Sequence, residues 1–195
     1  MESDHLHNIV KVLEGNDITK ISEALTFIIF SNPAIDSKLL LNLLNHSLPE
    51  ISLGAFQALG SYNGIFNEQI IEELKENDDQ IKQAMLIAAL SVQPTEASIA
   101  YFVECLSAQD EVLQSVALEI LTNYQELSLI PLLTKTLTAT EHELIAIKTV
   151  FEKIGTTKVF ELLKQTPFEA ILENLKKIYS EDELKQLSVS SINPL

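Results

Sequence analysis

The chain contains no Arg and no Trp, a single Cys and only five Gly among 195 residues. Each shortage excludes something. Proteins that hold nucleic acid neutralise phosphates with cationic side chains, and Arg supplies both the bidentate phosphate contact and the guanine contact. With 13 Lys against 28 acidic residues and a net charge of −15, DNA or RNA is excluded as a partner class. One thiol, Cys105, cannot form an internal disulfide, and its place in Tyr-Phe-Val-Glu-Cys-Leu predicts a quiet thiol on a helix near the core. Five scattered glycines leave no material for a phosphate-cradling loop. Long apolar runs are missing too: Met85 to Leu90 is far too short to span a bilayer. The opening Met1-Glu-Ser-Asp-His has neither the basic start nor the apolar core of a secretion signal. The expectation is a cytoplasmic protein with no membrane insertion.

What the chain has in abundance is Leu, Ile, Ala and Val within an apolar fraction of 46%, a mixture that favours packed helices and a sizeable core. Acid is concentrated in the middle. Residues 67–126 carry twelve acids against Lys75 and Lys82 alone, and no Lys or His occurs from Gln83 to Thr134. A partner meeting that stretch would be basic rather than acidic.

A unit of about thirty residues recurs. Ile21, Ile51, Ile81, Val112 and Leu144 lie 30, 30, 31 and 32 residues apart, each opening a similar apolar stretch. Three positions on come Ala24, Gly54, Ala84, Ser115 and Ile147, mostly small, as close helix approach requires. Ten positions on come Ser31, Ser61, Ser91 and Thr122, where a hydroxyl can satisfy a carbonyl near a helix end. About eight residues upstream a more amphipathic helix carries Leu13, Leu44, Leu74, Leu106 and Leu137, spaced 31, 30, 32 and 31. Helix-start signals stand at Asp36, Asn67 and Thr95 and in the capping box Thr140 to Glu143. Turns at Asn16-Asp17, Leu48-Pro49, Asp78-Asp79 and Gln109-Asp110 join the two helices of each unit. No strand fits this pattern. A helix pair cannot bury its own apolar face, so the fold expected is an all-α solenoid whose product is a surface rather than a pocket.

Leu48-Pro-Glu-Ile-Ser-Leu-Gly-Ala-Phe-Gln-Ala-Leu-Gly60 resembles the second helix of a short bacterial HEAT repeat, and the stretches Asp78 to Leu90 and Gln109 to Leu121 fit the same frame. The resemblance covers roughly residues 6–155. It implies about five HEAT-like helical hairpins, at 6–31, 36–62, 67–92, 95–124 and 127–155, with a C-terminal capping pair over 157–179. Residues 1–179 then form one domain, followed by a short helix and tail over 180–195. The Arg common in that family is replaced by Ser22, Ser52, Lys82, Leu113 and Ile145, so the Asp–Arg ladder between repeats is missing and apolar packing is expected in its place. Tetratricopeptide and ankyrin signatures are absent.

Chemistry is sparse. His5 and His7 could chelate a metal only if their segment were extended, and two ligands fall short of a zinc site, so an exposed pair is expected. His46 and His142 stand at predicted helix ends. No nucleophile elbow, Cys–His pairing or di-iron spacing occurs, so neither an enzyme, a cofactor nor a metal is expected. Two surfaces are candidates for protein binding. The first is the acidic helix face Glu68, Glu72 and Glu76, spaced i, i+4, i+8, whose alternative role is simple solvation. The second is a row on the second helices, Glu23, Leu53, Gln83, Gln114 and Ala146, followed by Phe27, Gln57, Ile87 and Leu118, whose alternative fate is burial between repeats. The leading expectation is a non-catalytic scaffold that holds another protein or peptide, a basic one suiting the acidic middle. HEAT-like resemblance also implies a bilin-lyase or phycobilisome-associated alternative, although no Arg is present to meet a propionate. A HEAT-like DNA glycosylase would need a basic groove that this composition lacks.

Overall fold

The computed structural model describes residues 2–77, 79–155, 158, 159, 173 and 175–190, the side chains of 2–4 and 186–190 excepted. The chain is all-helical, and no strand occurs among the described residues. Among the described residues eleven α-helices can be given bounds: α1 (Glu2–Leu13), α2 (Ile18–Ser31), α3 (Ser37–Leu43), α4 (Pro49–Ser61), α5 (Asn67–Glu76), α6 (Gln80–Val92), α7 (Glu96–Glu104), α8 (Glu111–Asn123), α9 (Gln125–Lys135), α10 (Glu141–Ile154) and α11 (Glu181–Ser190). A 3₁₀ turn, Cys105–Ser107, continues α7. The expected capping pair over 157–179, with its helix start at Thr166-Pro-Phe-Glu169, falls largely outside the described residues.

Helix starts set the repeat. The second helix of each pair begins after Asp17, Leu48, Asp79, Asp110 and Thr140, which are 31, 31, 31 and 30 residues apart. Asp79 accepts from the backbone N–H groups of Ile81 and Lys82 at 2.9 and 3.0 Å, and Asp110 accepts from those of Val112 and Leu113 at 2.8 and 3.2 Å. Thr140 and Glu143 form the expected reciprocal box, and Ser180 and Glu183 form a second one ahead of α11. Leu48 has no capping side chain, and Pro49 opens α4 instead, where a missing N–H costs nothing.

Counted from these starts, one position is buried in every second helix: Ile28, Leu59, Leu90, Leu121 and Phe151. One is buried in every first helix: Ile9, Leu40, Ile71, Phe102 and Leu132. The column opened by Ile21 does not keep that register. Ile21 and Ile51 are buried, but Ile81 is 76% exposed and Val112 73%. The reason lies in the start signal: Ile21 is the fourth residue of its helix, Ile81 and Val112 only the second, and two residues turn a side chain about 200° around the axis. Leu137 fails in the same way, exposed while its neighbour Thr136 is buried. The small-residue column is also corrected. Gly54 does meet α2, since a Cβ there would lie 3.1 Å from Leu25 Cδ1, but Ala84 and Ser115 face solvent. Close approach belongs to Ala55, Ala58, Ala89 and Ala117.

The hydroxyl column holds throughout. Ser31, Ser61, Ser91 and Thr122 donate to the carbonyls of Phe27, Ala58, Ala88 and Leu118 at 2.7–2.8 Å. Asn67 departs from its expected role. It is the first residue of α5, and its buried side chain donates instead to the Gln93 carbonyl at 3.1 Å and to Thr95 Oγ1 at 3.3 Å.

Contacts divide the chain into two compact units, Met1–Ser98 and Ile99–Leu195. In the first, α1 packs on α2, α3 on α4 and α5 on α6, while α2, α4 and α6 pack in series. These three second helices form one layer of that unit. In the second unit α8 packs against α9, α10 and the 3₁₀ turn.

Polar bonds, most of them reaching about thirty residues along the chain, accompany the apolar packing. In the first unit Asn32 Nδ2 donates to the Ser61 carbonyl at 3.1 Å, the single proton of Ser61 Oγ is shared between the Ala58 carbonyl and Asn32 Oδ1, each at 2.8 Å, and the Tyr62 hydroxyl donates to the Pro33 carbonyl at 2.7 Å. In the second, Lys135 Nζ lies 2.8 Å from Glu104 and 3.2 Å from Glu143.

Candidate functional site

The layer of second helices in the first unit has one side turned away from its hairpin partners. Positions two, five and nine beyond each helix start occupy that side: Thr19, Ser22 and Thr26 on α2; Glu50, Leu53 and Gln57 on α4; Ile81, Ala84 and Ala88 on α6. All are exposed except Ala88, which is half-buried. Phe30, 85% exposed, and Val92, 53% exposed, lie thirteen positions beyond the starts of α2 and α6. The spacing follows from helix geometry, because steps of three and four residues return to one face. Phe30, Leu53, Ile81 and Val92 thus stand in solvent on this side of the layer, with Ile18 and Phe27 of α2 also exposed.

Between α2 and the start of α4 runs an open groove of about 450 Å³, lined by Ile18, Thr19, Ser22, Glu23, Thr26 and Glu50. Its floor and walls supply hydroxyls and two carboxylates. Thr26 Oγ1 donates to the Ser22 carbonyl at 2.9 Å, which leaves its oxygen free to accept. Neither Glu23 nor Glu50 has a cation partner among the described residues. The groove is too open to exclude water from a reaction, and a shallow surface with free acceptors is suited to contact with another molecule.

The residues expected to bind are scattered. Glu23 lines the groove, and Gln57 and Leu53 stand on the exposed side of α4. Phe27 is exposed at the edge of α2, where the ring of His5 meets it edge-on at 5.1 Å. Gln83 and Gln114 are half-buried and engaged elsewhere: Gln83 Nε2 donates to the Asn77 carbonyl, and Gln114 Nε2 donates to the Leu106 carbonyl at 2.8 Å. Each ties the start of a second helix to the end of the first. Ala146 is buried. Glu68, Glu72 and Glu76 do share an exposed face of α5, away from the groove residues in sequence and on a first helix. Their neighbour Glu73 turns inward to Lys82, whose side chain is only 5% exposed; that hydrogen bond holds the Glu73 carboxyl below its ordinary range.

Thr19, Ser22, Thr26, Glu50 and Ile81 escape a reading aligned on the first branched apolar residue. A signal for them was present in the Asp17, Asp79, Asp110 and Thr140 starts, which keep an even register where Ile21 and Ile81 do not.

His5 and His7 lie on a helix, so two residues' separation points them apart. His46 Nδ1 accepts from the Leu48 N–H at 3.1 Å, a local capping bond. Burial pushes the Cys105 thiol up to about 11, which keeps it protonated and unreactive. Among the described residues no group of three His, Cys, Asp or Glu could hold a metal ion, and no helix is long and apolar enough to cross a membrane.

Comparison with known proteins adds little to this geometry. No family model matches the chain, and no curated protein matches it. Among solved structures, the crystal structure of an engineered protein is similar at 16% identity over 94% of this chain and 90% of that one, with a TM-score of 0.30.

Proposed function

We propose that this protein is a non-catalytic scaffold: a HEAT-like α-solenoid that holds another protein or peptide on the exposed side of its second helices. The observation that carries the reading is one exposed side of a helical layer, with Leu53 and Ile81 in solvent near the starts of α4 and α6 and Phe30 and Val92 in solvent near the ends of α2 and α6. A folded chain gains about 25 cal/mol for each Å² of apolar surface removed from water, so such side chains are retained at the expense of stability unless something covers them. Within the first unit a common register carries that side from α2 to α4 to α6, and stacked helix pairs of this kind build extended binding surfaces. The acidic face of α5 is the competing surface.

Pull-down with identification of the bound proteins tests the assignment. Leu53→Asp with Ile81→Asp should abolish recovery of the partner, while Glu72→Lys with Glu76→Lys should leave it intact. Both pairs are exposed, so circular dichroism and thermal unfolding should match the parent protein. Loss of partner with the Glu72 and Glu76 pair alone would move the site to α5.

A further inference from the structure

We infer that the α2–α4–α6 face takes an amphipathic helical segment of another protein, one that carries Lys or Arg beside its apolar stripe. The inference rests on the scaffold reading and adds the chemistry of the partner. Its first ground is charge. The first unit holds five Lys against fourteen acids, and the helices of the layer carry Lys20 and Lys82 beside Glu23 and Glu50. Helix α4 has no basic residue; Lys82 of α6 is buried against Glu73; Lys20 of α2 is 3.2 Å from Asp17. Glu23 and Glu50 border the groove with no cation partner among the described residues. Exposed apolar side chains beside unpaired carboxylates complement a ligand that is apolar on one side and cationic at the margin.

The second ground is shape. An all-helical layer offers no sheet edge among the described residues to which an extended peptide could add, whereas adjacent helices form grooves into which the side-chain ridges of another helix fit. A Lys of the partner can lay its methylene stem over Ile18 or over Thr26 and bring its ammonium to Glu23 or Glu50, with Thr19 and Ser22 as further acceptors. The apolar stripe then covers Leu53 and Ile81. The acidic face Glu68, Glu72 and Glu76 has charge but no exposed large apolar residue among its members, so it lacks half of the complement.

Fluorescence anisotropy with three labelled peptides of about 18 residues, roughly 27 Å as a helix, tests this. The first places Leu on one face and Lys on the other; the second has the same composition scrambled; the third replaces Lys with Glu. The full-length protein should bind the first at least about tenfold more tightly than either other peptide. Leu53→Asp with Ile81→Asp should remove that advantage. Glu23→Gln with Glu50→Gln should weaken binding several-fold and flatten its dependence on salt. Equal binding of the ordered and scrambled Lys peptides would overturn the inference, because net charge alone would then suffice. So would failure of all three to bind. Equal binding of the Lys and Glu amphipathic peptides, lost in Leu53→Asp with Ile81→Asp, would overturn the basic chemistry while leaving the scaffold reading standing. Binding of the first peptide unaffected by both variant pairs would overturn inference and scaffold site together.

Discussion

Ala58 and Ala84 are the same residue type, both in second helices, yet they do different things. Ala58 is fully buried on α4, whereas Ala84 is exposed on α6. Ala58→Leu should therefore cost about 1–3 kcal/mol through overpacking, and Ala84→Leu should fall within about 0.5 kcal/mol of the parent, both read from urea midpoints. Similar costs at both positions would show that the buried column is misassigned. Gly64 illustrates a residue whose type is dictated by its neighbours. Its φ is +83°, and an added Cβ would lie 2.8 Å from Thr95 Cγ2 and 2.9 Å from the Gln93 carbonyl oxygen. At this scale, local chemistry was legible in the sequence. Ser31, Ser61, Ser91 and Thr122 bond within their own turns, and the cap Asp36 accepts from the Lys38 N–H two residues on. Asn67 was not legible, because its partners lie 26 and 28 residues away. Gln83 and Gln114 look like surface residues because the carbonyls they reach, six and eight residues upstream, lie across the turn from the preceding helix.

Between elements, polar contacts accompany the apolar packing. Lys82 joins α6 to Glu73 of α5, and Lys135 at the end of α9 meets Glu143 in the first turn of α10. Glu73 is held below the ordinary carboxylate range by its hydrogen bond to Lys82; Glu143 is held below it first by the Thr140 backbone N–H and then by the Thr140 hydroxyl and Lys135. A carboxyl depressed in the folded state binds fewer protons there than in the unfolded chain. Its stabilisation is therefore present above the unfolded pKa of about 4.3 and is lost as pH falls through that value toward the folded one. The protein should lose stability on acidification in that window. Lys82→Met should be about 1–2 kcal/mol less stable at pH 7, and the gap should narrow below about pH 4 as Glu73 becomes protonated in both proteins. Urea denaturation across pH 3 to 7 reads both. A gap independent of pH would mean that Lys82 acts through packing alone.

Over the whole chain, the period of about thirty residues and the alternation of amphipathic and more apolar helices could be read from composition and spacing, because helix burial repeats in the sequence itself. The phase could not be read from apolar residues. Ile21, Ile51, Ile81 and Val112 look equivalent as letters, but their helices begin at different distances before them, and only the starts determine which side faces inward. The candidate surface depends on that phase, and so does the proposed function. Thiol labelling tests the phase directly, since Cys105 is buried and gives a slow background. Single variants Ile81→Cys, Val112→Cys, Leu90→Cys and Leu121→Cys, reacted with Ellman's reagent under native conditions, report which side each residue occupies. The first two should react at the rate of a free thiol, and the last two only as fast as the protein opens. Protection of the thiols at positions 81 and 112 would contradict the shared register and remove the surface built on it.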